Sequence, residues 1–458
     1  MFSVSDLVKE VILGQWANWQ PSNFRPISVL SVVGKLAEKV VSLQLLDYLS
    51  AIHAMSPNQY AYRPGHSTED AIVDVVSAIS DNRDRGHVTV ITSCDLSKAF
   101  DCVDRQVLLR KLEWYGVSSH WFIDYFSGRM QCVRGSLMEH VDFGVIQGSI
   151  LGPIMFNVLT NDLYAHLSDQ CKAVSYADDT VILHSAPPSD EGLTALKASV
   201  EGDLASLATW FKNNGLKVNP SKTEMSLFGT LPVTKKASNF SVNFGNVSLT
   251  PAGQIRFLGV LLDQNLTMEK HAAAVVRRCF GILVTLKKLS QTLPKATLKT
   301  LVQALVFPHL VYCLPAWAPP TIAIRQRIDR VISFAARVVS GKRKHDHISE
   351  TRRQLGWLSF EQVVRERDCL LVHRLLNSEQ APATLKSLVQ HRADVSERET
   401  RASGSAVLHT RRCRLEATRR SVPVRPIREW NELPAELRRV TGRRAFLSGV
   451  TAFLVSPP

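Results

Sequence analysis

Three aspartates invite a chemical reading. Asp95 follows the β-branched run 87–94, and Asp178 and Asp179 lie between two short apolar stretches, 172–176 and 180–184. The first run predicts a buried strand with Asp95 just past its end. The other two predict a hairpin with both carboxylates at its tip. Carboxylates brought together repel one another unless cations neutralise them. Convergence of all three would make a site for hard divalent ions, which take oxygen ligands and keep positions open for phosphate and water. Two such ions about 3.5–4 Å apart can activate an attacking oxygen and stabilise a leaving one. Aspartate is also an ordinary turn and helix-cap residue, and for Asp-Asp taken alone that is the commoner explanation.

The surrounding elements decide whether convergence is feasible. Residues 31–50 carry Val32, Leu36, Val40, Leu43 and Leu46 at spacings of three and four, an amphipathic helix. Residues 68–79 repeat that period after the loop Arg63-Pro64-Gly65-His66. Helices are expected over 104–114, 120–126, 154–163 and 193–213, the last closed by Gly215 as a left-handed cap. Residues 217–228 and 254–262 read as further strands. The order is α+β, compatible with an antiparallel sheet backed by helices. Beyond residue 263 the pattern is helical, over 271–289, 294–306 and 325–340, and small helices return over 430–454. The apolar stretch 301–324 is broken by Pro308, Pro315, Pro319 and Pro320, so it reads as buried helices around a proline-rich turn, not as a membrane span. Asp6, Lys9 and Glu10 interrupt the apolar start and argue against a signal peptide.

A series of motifs accompanies the aspartates in order: Ser22-Asn23-Phe24-Arg25-Pro26-Ile27-Ser28, then 58–68 (NQYAYRPGHST), then Asp95-Leu96-Ser97-Lys98-Ala99-Phe100-Asp101. Gln147-Gly148-Ser149-Ile150-Leu151-Gly152-Pro153 follows, then Tyr176-Ala177-Asp178-Asp179, then 215–223 (GLKVNPSKT), and last Phe257-Leu258-Gly259-Val260. This succession resembles the reverse transcriptase domain of non-LTR (LINE-type, jockey-like) retrotransposons over about residues 20–262, and more loosely to the end, where 430–434 (WNELP) is similar to the family's C-terminal region.

The resemblance implies a right-hand polymerase with an antiparallel palm sheet. It divides the chain into partial fingers (1–85), palm (86–262), a helical thumb (263–340) and a basic C-terminal region (341–458). It implies RNA-directed DNA synthesis: transfer of deoxynucleotides to a DNA primer 3′-hydroxyl on an RNA template, in the service of retrotransposition. Asp95, Asp178 and Asp179 would hold two Mg²⁺ ions, with Mn²⁺ as the alternative. Lys222 matches the lysine that protonates pyrophosphate. Phe100 matches the aromatic gate against a ribose 2′-hydroxyl, and Gln147 and Gly148 the contact to template and incoming nucleotide. Arg25 and Arg63 match finger arginines, and Tyr176 a residue at the primer terminus. Nuclear and cytoplasmic location follows from the same resemblance. The match departs from the family at 8–17, which implies N-terminal truncation of the fingers, at Ile146 where proline is usual, and at Ala61 where glycine is usual. The competing class is a degenerate or adapted remnant that binds RNA without polymerising.

Charge is divided unevenly. Residues 1–300 hold 28 basic and 27 acidic residues, and residues 301–458 hold 27 and 14, so nearly all of the net +14 sits in the back of the chain. Arg411, Arg412, Arg414, Arg419, Arg420, Arg425 and Arg428 are the candidate polyanion contacts there. The eight cysteines are scattered with no CxxC pair, so neither a disulfide framework nor a zinc ribbon is indicated, and reduced thiols are the plain reading. Cys369 with His373, and His409 with Cys413, offer four zinc ligands in principle, but at a spacing of no known finger. The sequence carries no signal of oligomeric state.

Overall fold

The computed structural model describes residues 8–12, 25–94, 96, 98–132, 138–219, 222–395 and 406–455. Its centre is a four-stranded antiparallel sheet of β3 (Val88–Cys94), β6 (Lys172–Tyr176), β7 (Asp179–Ala186) and β8 (Glu224–Phe228), in the order β6-β7-β3-β8. Side chains alternate across a strand, and both faces of β3 are buried. Ile91 joins a core with Ile72, Val76 and Ile79 of helix α2 (Thr68–Arg85). Val88, Val90 and Cys94 join the opposite core with Leu108, Phe156 and Leu204. Those last three come from α3 (Arg105–Trp114), α5 (Gly152–Thr160) and α6 (Asp190–Asn213).

Local chemistry sets the helix ends. Ser67 Oγ accepts the N–H of Asp70 to start α2, and Gly86, at φ 83°, ends it in the left-handed region. Ser31 caps α1 (Val32–Ala51) in the same way, and Gly215 (φ 72°) follows α6 as expected. A smaller sheet, β2-β1-β4-β5, joins β1 (Val8–Ile12), β2 (Arg25–Ser28), β4 (Met130–Gln131) and β5 (Glu139–His140).

Two strand readings change. The single strand expected over 254–262 is a hairpin, β11 (Gln254–Phe257) and β12 (Val260–Asp263), turning at Leu258 (φ 44°) and Gly259 (φ 83°). Among the described residues of 217–228 only Glu224–Phe228 joins the sheet, while Val218 makes one bridge to Leu96. A short hairpin of β9 (Val242–Phe244) and β10 (Val247–Leu249) escaped the sequence reading because each strand is only three residues long.

The back of the chain is helical. The 301–324 stretch is divided among the helices Lys295–Leu305, Phe307–Val311, Leu314–Trp317 and Ile322–Ser340. Among the described residues no helix is long and apolar enough to cross a membrane. The helix Phe360–Asn377, absent from the sequence reading, packs through Cys369 and Val372 onto Trp430 and Phe446.

This region docks on α2. Arg374 pairs with Asp70, Arg411 pairs with Asp81, and Asp84 accepts the backbone N–H groups of Arg414 (3.1 Å) and Leu415 (2.8 Å). The expectation that all seven arginines face a polyanion is thereby corrected. Arg425 is 6% exposed, bonded to both oxygens of Asp368 (2.6 and 3.0 Å) and to the carbonyls of Pro315, Ala318 and Arg420. Desolvating a guanidinium is costly unless its donors are matched, and here the charged partner comes from a helix 57 residues away in sequence. Arg419 and Arg420 pair with Glu416 at the surface, and Arg412, Arg414 and Arg428 are exposed as well.

Candidate active site

The strand register builds the site. Tyr176 pairs with Asp179 across β6 and β7, leaving Ala177-Asp178 as a two-residue turn, and Cys94 at the end of β3 pairs with Thr180. Asp178 is half-buried and Asp179 exposed at the tip. Asp95 lies outside the described residues; its neighbours Cys94 and Leu96 pair with Thr180 and Val218. Two-residue hairpins favour positive φ at the first central position. Ala177 adopts it, at φ 59°, although alanine pays about 1 kcal/mol or more there.

The loop before α2 holds this tip. Gln59, 2% exposed, accepts the N–H of Ala177 on Oε1 (3.0 Å) and donates Nε2–H to the Ala177 carbonyl (3.2 Å). The Tyr60 N–H donates to Ser175 O and the Ser175 N–H to Asn58 O, which lays this loop along β6. Arg63 turns into its own loop, donating to the carbonyls of Ser56 and Gln59, and burial lowers its pKa. Tyr62 stands 44% exposed at φ 56°. Its phenol pKa is raised by burial and then by the nearby charge of Asp178. Gln59 and Tyr62 were missed as site residues. The available signal was their place in the 58–68 motif.

A second wall comes from the Phe100 and Gln147 segments. Phe100, half-buried, stacks on Phe156 with ring centroids 4.4 Å apart and planes at 25°. Gln147 Nε2 donates to Asp101 (2.7 Å), and its carbonyl accepts the Ser28 N–H of β2 (2.8 Å). Gly148 has φ 96°, and a Cβ there would lie 2.9 Å from Ser28 O, so this close approach requires glycine. Buried Glu38 of α1 accepts the Ile150 N–H (2.7 Å) and the Tyr125 hydroxyl (3.0 Å), pinning the same loop.

The remaining candidates are distributed as follows. Tyr176 is half-buried against the α2-side core, and the Tyr312 hydroxyl donates to Leu258 O (2.9 Å) at the β11–β12 turn. Lys222 is exposed, its N–H donating to Asn219 O (3.0 Å). Arg25 opens β2 opposite Ile12, and its side chain lies outside the described residues.

Oxygen donors suit a hard cation, and Asp178 and Asp179 supply them. Among the described residues the one mixed Cys/His/Asp group is elsewhere, Cys171, His184 and Asp203, with ligand atoms within 4.8 Å of one another. It is a hydrogen-bonded knot: Asp203 accepts from His184 Nε2 (2.6 Å) and from Ser168 N (2.8 Å) and Oγ (2.7 Å). Burial and Asp203 push the Cys171 thiol well above its ordinary pKa, so it stays protonated. Cys369 and His373 are also buried packing groups, with His373 stacked on Phe446 at 4.2 Å and bonded to Val440 O.

A carboxylate-tipped hairpin in an antiparallel sheet, backed by helices and flanked by an aromatic and a glycine-bearing loop, defines the palm of a right-hand polymerase. The family described as reverse transcriptase (RNA-dependent DNA polymerase) matches residues 15–262, more than half of the chain, and the chain belongs to that family. Polymerases of this family use divalent metal ions.

The chain is 31% identical over 313 residues to a Drosophila melanogaster protein described as "Probable RNA-directed DNA polymerase from transposon BS", covering 65% of this chain and 33% of the relative. It is 24% identical over 262 residues to the RNA-directed DNA polymerase from mobile element jockey of the same fly, covering 54% of this chain and 28% of that protein. The chain thus spans about a third of the curated relatives it matches. Telomerase from Candida tropicalis, in complex with a fragment of telomeric RNA, aligns with 77% of this chain and 56% of its own at 11% identity and TM-score 0.42, a likeness too loose to carry functional meaning.

Proposed function

We propose that this chain is the catalytic part of an RNA-directed DNA polymerase, which extends a DNA primer with deoxynucleoside triphosphates on an RNA template during retrotransposition. The observation that carries the reading is the Ala177-Asp178 turn, which presents Asp178 and Asp179 beside the end of β3. In this reading Asp95, Asp178 and Asp179 hold two Mg²⁺ ions, or Mn²⁺ in their place. When bound, the ions neutralise charge developing on the transferring phosphoryl group. The chain's own residues position the reactants, and positioning is most of what phosphoryl transfer asks of a protein.

Phe100, braced by Phe156, crowds the sugar 2′ position, while Gly148 lets backbone approach the nucleotide. Gln147, tied to Asp101 and to β2, keeps that loop in place. Tyr176 supports the primer end, Lys222 supplies a proton to pyrophosphate, and Arg25 handles phosphate. Arg63 acts through its loop, since its guanidinium is bonded to that loop's carbonyls. Fingers to residue 85, palm to 262, thumb to 340 and a basic region beyond belong to this reading, as does action in nucleus and cytoplasm.

The test is primer extension by purified protein with Mg²⁺, an RNA template, a DNA primer and deoxynucleotides. Extension by the wild type and none by Asp178→Ala is the expected outcome. Equal residual activity in the two would overturn the proposal.

A further inference from the structure

We propose that Gln59 is a positioning residue, one amide that sets the pose of the Asp178 carboxylate by clamping the turn residue before it. Its two functional atoms grip the two polar backbone atoms of Ala177, Oε1 on the N–H at 3.0 Å and Nε2 on the carbonyl at 3.2 Å. The Ala177 carbonyl belongs to the same rigid peptide plane as the Asp178 N–H. Holding that plane therefore constrains the direction in which the Asp178 side chain leaves the chain, leaving it only the freedom of the residue's own φ and χ1. The turn needs such a hold, because Ala177 sits at φ 59°, where an L-residue is strained.

The clamp is itself rigid. Oε1 also accepts the Ala61 N–H at 3.0 Å, so both donors facing it demand oxygen, and the amide cannot be reversed without opposing N–H to N–H. Asn157 Nδ2 donates to Ala61 O (2.8 Å), and Arg63 donates to the Gln59 carbonyl (3.1 Å). The Tyr60 hydroxyl donates to Asp74 (2.9 Å) and meets Thr384 Oγ1 (2.9 Å), which ties the loop to α2 and to the C-terminal region. A buried glutamine whose only task was to satisfy itself could bond to any nearby backbone. This one bonds to the single strained residue on which a catalytic carboxylate's direction depends.

The consequence for rate rests on the polymerase reading above, whereas the clamp itself does not. Gln59→Met keeps the volume and removes the hydrogen bonds. Hydrogen exchange of the Ala177 amide should quicken at least about tenfold as its acceptor is lost, with Val181–Leu183 unchanged. In primer extension kcat should fall about ten- to a hundredfold, the scale of a misplacement near 1 Å, with primer–template affinity within about twofold. Gln59→Met/Ala177→Gly should recover part of the kcat loss but not the protection of the residue-177 amide, because glycine holds a left-handed turn without a clamp yet supplies no acceptor.

Unchanged exchange at the tip, or a kcat within about twofold of wild type in folded protein, would overturn the inference. If Gln59→Met does not fold, recovery of a folded hairpin in the glycine double variant supports the clamp, and failure of that variant overturns it. If the wild type itself extends no primer, the polymerase reading falls and the exchange measurement decides the clamp alone.

Discussion

Helix α2 and the β6–β7 hairpin both carry aspartates, and the fold uses them in opposite ways. Along α2, Asp70 meets Arg374, Asp74 meets Lys172 (2.6 Å) and the Tyr60 hydroxyl, Asp81 meets Arg411, and Asp84 meets two backbone N–H groups. Each is an assembly point that joins elements distant in sequence. At the hairpin the carboxylates stand side by side on a tight turn whose backbone is held by another loop, with Asp179 exposed. Dispersed and matched one by one, aspartates hold a structure together. Concentrated on one turn they are, in the proposed reading, a site whose charge calls for cations. The residue type is the same, and arrangement alone separates the two roles.

The sharpest way to break this comparison is to exchange outcomes between its halves. Asp178→Ala should lower the polymerisation rate by about a thousandfold or more while leaving the melting temperature within a few degrees. Asp81→Asn should do the reverse, with activity retained and a stability loss of about 1 kcal/mol or less for a partly exposed pair. Melting curves beside primer extension separate the two, and an inactive Asp81→Asn would erase the distinction.

The buried member of the docking set gives the next effect. Arg425→Met leaves the Asp368 carboxylate, which is fully buried, without its partner. Orphaned buried charges cost about 3–5 kcal/mol, readable as a shift in the denaturant midpoint. The double variant Asp368→Leu/Arg425→Met should regain most of that. If Arg425→Met is silent, the pair is not an anchor.

Of the basic residues at the back, only exposed ones can meet nucleic acid. Replacing Arg412, Arg414 and Arg428 together should flatten the slope of log affinity against log salt by about 2 for single-stranded RNA, which Arg425→Met should not do. An unaltered slope in the triple variant would move the polyanion surface elsewhere.

The smallest effect is a response to acid. Burial raises the Asp84 pKa, but the N–H groups of Leu415 and Arg414 outweigh it, and the net is a pKa below the ordinary 3.8. A carboxylate with a depressed folded pKa contributes stability above its unfolded value and loses it as pH falls through the folded one. Docking of the C-terminal region on α2 should therefore weaken only below about pH 3.8, seen as faster exchange near 414–415. Weakening already at pH 5 would assign the contact to another group.

Much of the front of the molecule was readable from residue order. Strand β3, helices α2 and α6 and the Asp178–Asp179 hairpin follow from period-two and period-3.6 patterns with glycine punctuation, which are local physics. The site motifs, each a short contiguous string, were read through the family resemblance and not through local periodicity. Gln59 was invisible as a clamp, because a buried glutamine and a surface one look alike until the acceptor 118 residues away is known. The arginines misled similarly. Composition counts charges, but whether Arg425 faces water or Asp368 depends on which helices pack.

Chain order alone, then, settled several features that form within a turn or two of a residue: the caps of α2 and α6, the strand before Asp95, and the paired carboxylates of a tight turn. Partners for buried polar atoms are settled by packing, because a low-dielectric interior tolerates such atoms only when distant groups arrive with matching geometry. In this chain that packing turned Arg425 inward and placed one amide beneath the turn that carries Asp178.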